Sequence, residues 1–234
     1  MQGGPFMANY GFDLNLKDKQ SLSSKVFKYI RDGIIEGRYQ TGEYLVETKL
    51  AEELGISRTP IREALKQLEL EELAVSIPNR GVVVQGLSEQ DVEDIFAIRL
   101  TLEGQAAFWA AERIEQPDID RLNELADLME LYTRRQDIVN LARLDTEFHE
   151  IIYEACNSRM LKHILASLHQ NISRARKSSL NLPNRPEKSL EEHRGIMEAI
   201  VQHLPEEAKA RMESHIRHAW HTEDEHASKE EATK

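Results

Sequence analysis

Two short stretches of this sequence hold residues whose types and spacing suit chemistry. The first is ISRTPIREALKQLE, residues 56–69, where Arg58, Thr59 and Arg62 follow Ser57 at the mouth of a segment with apolar residues at helical spacing. A helix N-terminus offers free backbone N–H groups and a partial positive charge. Arginines and hydroxyls added there make a site for an anion, phosphate above all, and DNA is the commonest macromolecular source of phosphate. The second stretch is LDTEFHEII, in which Asp145 and His149 stand four residues apart beside Leu141, Leu144, Phe148 and Ile152. That spacing puts both on one helix face bordering the core. A carboxylate and an imidazole on successive turns can bite one metal ion; they can equally form an ion pair or a half-buried hydrogen bond. His193, ahead of Ile196 and Ile200, and His215, between Met212 and Ile216, could face the same interior. The other histidines, His163, His169, His203, His218, His221 and His226, read as scattered or exposed and stay out of the site.

The elements that must position these residues are legible in outline. Leu22, Val26, Ile30 and Ile34 make one stripe of a first helix that ends at Gly37. Residues 39–46 read as a turn and a short extended piece, and Thr48 opens a brief second helix stopped by Gly55. Ser57 suits the N-cap of the third helix and Pro60 its first turn, with Ile61, Ala64, Leu65 and Leu68 buried and Arg58, Thr59, Arg62 and Lys66 outward. Residues 74–77 and 82–85 flank the turn Pro78-Asn79-Arg80-Gly81 as a hairpin. Three helices and a two-stranded wing make a winged helix-turn-helix, whose basic third helix and basic wing tip suit phosphates and base edges. The plainer reading is a helical scaffold carrying a decorative hairpin.

From Ser88 the pattern changes. Ser88-Glu89-Gln90-Asp91 resembles a capping box and opens a long helix to about Arg113, after which turn signals near Pro117, Gln136, Asn157, Pro183–Pro186 and Leu204-Pro205 separate helical segments with no strand pattern between them. The expected fold is mainly α, an N-terminal winged helix-turn-helix followed by an all-helical bundle of about six helices. The boundaries expected are residues 1–20 as a disordered or vector-derived leading segment, 21–87 as the winged domain, 88–228 as the bundle and 229–234 as a frayed tail.

Charge divides at the same place. The formal net charge is −11, and residues 1–87 are close to neutral, so the acidity belongs almost wholly to the second part. The first part can approach a polyanion while the second stays soluble and apart from it. The single cysteine, Cys156, excludes an internal disulfide framework and a multi-cysteine zinc module. No apolar run approaches the roughly 18 residues that suggest a membrane span, so no membrane partner and a cytoplasmic location are expected.

At this level of detail the chain resembles the GntR family of bacterial transcription regulators, in its FadR-like branch with the helical ligand-binding domain called FCD. The resemblance runs from about Ser21 to His226, through ETKLAEELGISRTPIREALKQLE and NRGVVV in the first part, then IRLTLE, DTEFHEIIYEACNS, EHRGIMEAI and MESHI. It implies a homodimer that binds palindromic double-stranded operator DNA, as a repressor by expectation, with the FCD bundle sensing a small organic acid. Arg58 and Arg62 fall on operator-contacting positions, with Thr59 and the wing tip Asn79, Arg80 and Gly81 assisting. Thr48 stands where some members carry a further DNA-contacting arginine. The resemblance also assigns Asp145, His149, His193 and His215 to a divalent metal, of which zinc or nickel suits three imidazoles and a carboxylate. Arg99 matches a position that holds an effector carboxylate, with an Arg99–Glu103 ion pair as the competing reading; Asn171 and Arg174 are further pocket candidates.

Two other functions compete with carboxylate sensing. The metal could itself be the signal or a structural staple. A metal-dependent hydrolase is disfavoured, because four protein ligands leave little room for a reactive water, no general base stands out and a DNA-binding head has no part in such chemistry.

Overall fold

A computed structural model describes residues 21–78 and 81–231, giving the backbone alone at 170, 173–175 and 221–231. The described residues form two compact units that divide between Leu87 and Ser88, and the leading segment expected over residues 1–20 lies outside the described residues. In the first, α1 (Leu22–Ile35) is followed by β1 (Tyr44–Leu45), α2 (Glu47–Leu54), α3 (Arg58–Leu70), β2 (Ala74–Ile77) and β3 (Gly81–Val84). Ser21 caps α1, its hydroxyl accepting from the Ser24 N–H at 3.2 Å. Val26, Ile30 and Ile34 of α1 meet Ile61, Ala64, Leu65 and Leu68 of α3 in one apolar cluster, the face that the periodicity predicts. Gly55 lets α2 end in the left-handed region (φ 65°), and α3 starts within three residues. Ser57 occupies the N-cap position of α3, but its hydroxyl makes no cap bond there, contrary to the simplest expectation.

The wing is a three-stranded sheet in the order β1-β3-β2, one strand more than the hairpin expected. β2 and β3 pair Ala74 with Val84 and Ile77 with Gly81, and β1 adds to the other edge of β3 by pairing Tyr44 with Val83. The extra strand is two residues long, too short to leave a periodic signature. Val82 and Val84 enter the core while Val83 between them does not, the alternation of a half-buried strand.

The second unit is entirely helical among the described residues: α4 (Glu89–Arg113), α5 (Gln116–Arg135), α6 (Ile138–Ala155), α7 (Arg159–Asn171), α8 (Ser173–Leu180), α9 (Arg185–Val201) and α10 (Pro205–Glu231). These are seven helices where about six are expected. The added one arises at Ile172, a buried residue that interrupts the chain between α7 and α8 with no proline or glycine to announce it. α10 continues through residues 229–231 of the expected frayed tail, and 232–234 lie outside the described residues. Ser88 and Asp91 form a complete capping box, Asp137 caps α6 and Ser158 caps α7.

α4 is the spine. Ala106, Ala107, Ala110 and Ala111 are fully buried along it, and α10 lies close beside it: a Cβ at Gly104 would come within 3.0 Å of the Glu213 side chain. Small residues let the two backbones approach, which leaves the longer side chains of α6, α8 and α9 to define a polar interior.

Candidate metal centre and operator-facing helix

Asp145 and His149 project from α6, His193 from α9 and His215 from α10, and all four are buried. One ligand atom from each lies within 4.8 Å of all the others. The four residues chosen by spacing and resemblance are therefore brought together, although three separate helices carry them.

Two carboxylates turn the rings. Glu103 Oε2 lies 2.6 Å from His149 Nδ1, and Glu192 Oε2 lies 2.8 Å from His215 Nδ1. The His215 contact is a hydrogen bond and leaves Nε2 of that ring as the nitrogen with a lone pair to offer, the arrangement found around metal-ligating histidines, whereas the Glu103–His149 contact is a close approach without hydrogen-bond geometry. Both ring nitrogens, Nδ1 and Nε2, of His149 and of His193 are buried without a hydrogen-bond partner. Unpaired buried nitrogens are costly, and a cation between them and the Asp145 carboxylate would satisfy them together. Burial lowers the pKa of His193 and of His215, keeping both rings neutral as metal ligation requires. For Asp145 burial acts upward, but the Arg176 guanidinium and the neighbouring imidazoles outweigh it and hold the carboxyl well below its usual range. The donor set fits a divalent transition metal.

Arginines surround this centre. Arg99 on α4 is 3% exposed and paired with the fully buried Glu103, so the ion pair anticipated from spacing exists, inside the bundle rather than on its surface. Arg176 on α8 places Nε 2.5 Å from Asp145 Oδ2 and donates through Nη1 to Thr146 Oγ1 at 2.5 Å. Arg185, also buried, donates through Nη1 to Glu192 Oε2 at 2.9 Å. A cavity of about 30 Å³ opens among Arg99, Asp145, His149, Arg176, Arg185 and His215, large enough for one or two waters as the side chains stand.

Of the effector contacts expected, Arg99 lines this cavity. Asn171, half-buried at the end of α7, is not among the residues lining it, where Ile172 and Arg176 form the wall. The side chain of Arg174 lies outside the described residues. Sequence reasoning missed Arg176, Arg185 and Glu192, which look like surface charges at their places in the chain, and His169, set aside as scattered but buried with Nε2 2.5 Å from Arg176 Nη2; Glu103 was foreseen only as a partner of Arg99. The one available signal was that Glu103 and Arg99 are four residues apart on a helix with an alanine-rich face.

On the first unit, Arg58, Thr59, Arg62 and Lys66 are exposed along α3, and Thr48 is exposed on α2. Gly81 opens β3 at φ 100°, a conformation that suits glycine; Asn79 and Arg80 lie outside the described residues. Arg58 and Arg62 share an unforeseen partner, the Glu47 carboxylate, at 2.8 Å each.

The fold defines a class: a winged helix-turn-helix with an outward arginine pair, joined in one chain to a helical bundle enclosing a histidine-rich centre. Residues 22–84 match the family described as bacterial regulatory proteins, gntR family, and residues 94–218 match the FCD domain. The chain belongs to the GntR family and carries an FCD domain.

An uncharacterized HTH-type transcriptional regulator of Bacillus subtilis strain 168, YdhC, is 29% identical over 208 residues, 88% of this chain and 92% of that protein. The gluconate operon transcriptional repressor of Bacillus licheniformis is 32% identical over 143 residues, 59% of this chain and 57% of that one. Among solved structures, McbR/YncC of E. coli has the same fold with a TM-score of 0.71, at 22% identity over 85% of this chain and 94% of that one. The protein is a DNA-binding transcriptional regulator, and its families and relatives are regulators rather than enzymes. No helix among the described residues is long and apolar enough to cross a membrane.

Proposed function

We propose that this regulator is a cytoplasmic homodimeric repressor whose affinity for operator DNA responds to a small organic acid held at a divalent metal, zinc or nickel, in the FCD bundle. The observation that carries the proposal is the buried Asp145-His149-His193-His215 cluster with two unpaired Nε2 atoms, ringed by Arg99, Arg176 and Arg185. Asp145, His149, His193 and His215 would hold the metal, which supplies positive charge for a carboxylate. The guanidinium forks of Arg99, Arg176 and Arg185 supply planar donors of matching geometry. Kinship with gluconate operon repressors supports repression. On the first unit, Arg58, Thr59, Arg62 and Lys66 would read the operator, with Thr48 and the wing residues Asn79, Arg80 and Gly81 beside the backbone.

The mechanism is a coupling between two sites. An acid that binds better to one packing of the α6, α8, α9 and α10 side chains shifts the population toward it, and operator affinity changes by the difference in free energy between the two packings. The small cavity favours a second reading, a metal that serves structure alone, since the walls must part before an organic acid can enter.

Thermal unfolding of the full chain, metal-loaded and chelated, against a panel of small organic acids separates the two. A ligand at a hundredfold its Kd stabilises by about 2.7 kcal/mol, several degrees for a chain of this size. A shift caused by one acid and removed by chelation supports carboxylate sensing. Stabilisation by metal with no increment from any acid supports the structural reading.

A further inference from the structure

Glu47 opens α2, and Arg58 and Arg62 stand one turn apart at the start of α3, on the far side of the Gly55 turn. The carboxylate binds both arginines. Its Oε1 accepts from Arg58 Nε and from Arg62 Nη2, each at 2.8 Å, and its Oε2 accepts from Arg62 Nε at 3.3 Å. The Glu47 side chain is 22% exposed, against 58% for Arg58 and 56% for Arg62, so the anchor is the more buried member. Its place in the first turn of α2 suits a negative charge, and hydrogen bonds from Arg62 and Arg58 lower its pKa.

Which donors are used matters more than their number. A guanidinium is a flat fork with a side edge, Nε and Nη2, and an end edge, Nη1 and Nη2. Glu47 takes the side edge of Arg62 and the Nε of Arg58. None of these bonds uses Nη1 of either arginine and both side chains are more than half exposed, and an end-on fork can pair with guanine O6 and N7 or with two phosphate oxygens. Two flexible side chains tied to one half-buried carboxylate also have less freedom to lose on docking.

We propose that Glu47 is a positioning residue for operator reading: it holds Arg58 and Arg62 as one pre-set pair of end-on forks. It thereby favours the correct sequence over others while subtracting from general attraction to phosphate. This rests on the assignment of Arg58 and Arg62 as operator contacts. The negative charge of Glu47 lies among the cations that would meet the DNA backbone, so its removal strengthens the sequence-independent part of binding. Losing the anchor weakens the sequence-specific part.

The test uses the duplex that the unaltered full-length protein enriches from a random-sequence library, with a scrambled duplex of equal length and composition for comparison. Affinities are measured at several salt concentrations. Glu47→Ala is expected to weaken binding to the enriched duplex about tenfold, leaving the scrambled duplex bound as well as before or better. Glu47→Gln, which keeps length and one acceptor, is expected to fall between. Adding Glu47→Ala to the Arg58→Ala/Arg62→Ala protein is expected to weaken binding to the enriched duplex no further. Equal losses on both duplexes, or undiminished affinity for the enriched one, overturn the proposal. If Arg58→Ala and Arg62→Ala themselves leave the enriched duplex tightly bound, the operator-contact assignment fails and the Glu47 proposal with it, whereas an effect of the arginines without one of Glu47 sinks the proposal alone.

Discussion

Glu192 on α9 gathers more partners than its solvent-facing neighbours: His215, His218 and Arg185 all bond to its carboxylate. Burial acts to raise its pKa, but these partners reverse the effect and bring it down to about 2, so it stays an acceptor at any ordinary pH. Glu192→Gln should therefore release His215 from its present orientation and lower metal affinity about 10–100-fold, which a competition titration against a chelator would read. Retained affinity would mean that packing alone orients the ring. At the other site, Arg62→Ala is expected to weaken specific DNA binding by about 1–3 kcal/mol, measured at fixed salt on the enriched duplex. Both effects concern side chains whose partners lie on other helices. His215 is separated from Glu192 by 23 residues and Arg62 from Glu47 by 15, so no periodicity connects them. The Asp145–His149 spacing, by contrast, is a local property of α6 and was legible from the chain.

Helices α1, α4, α6 and α7 each begin at a side chain that caps them. Ser88 and Asp91 satisfy each other's backbone N–H groups at the start of α4, with Ser88 N donating to Asp91 Oδ2 at 2.8 Å and Asp91 N donating to Ser88 Oγ at 3.1 Å. Ser88→Ala should cost about 1 kcal/mol of stability, read as a shift of the denaturation midpoint with an unchanged slope. Leu144 is fully buried on α6 next to Asp145, and Leu144→Ala should cost about 2–5 kcal/mol because the surrounding helices close only partly over the gap. A loss below 1 kcal/mol there would show that the bundle interior is loosely packed. The unforeseen elements were those without a local signature: β1 exists because β3 has an unpaired edge for it, and the division of α7 from α8 follows from the burial of Ile172.

At the scale of the whole molecule, a metal at the proposed centre would be linked to the fold, because the four candidate ligands come from three helices that it would tie together. His193→Ala should abolish metal-dependent stabilisation in thermal unfolding while leaving binding to the scrambled duplex intact, since the first unit has its own apolar core. Persistent stabilisation by metal would place the ion elsewhere. A division between the two parts also shows in the charge, with the acidity almost wholly in the second. By itself the sequence determined what depends on near neighbours: the helix faces, the caps and glycine turns, the outward arginines of α3, and the charge contrast between the two parts. Only the tertiary structure decided which charges are buried and with what. Arg176 meets Asp145 because α8 packs on α6, while the Arg99–Glu103 and Arg185–Glu192 pairs lie within α4 and α9 and are buried only by the helices around them; a charge is stable inside a protein only when it has a partner there.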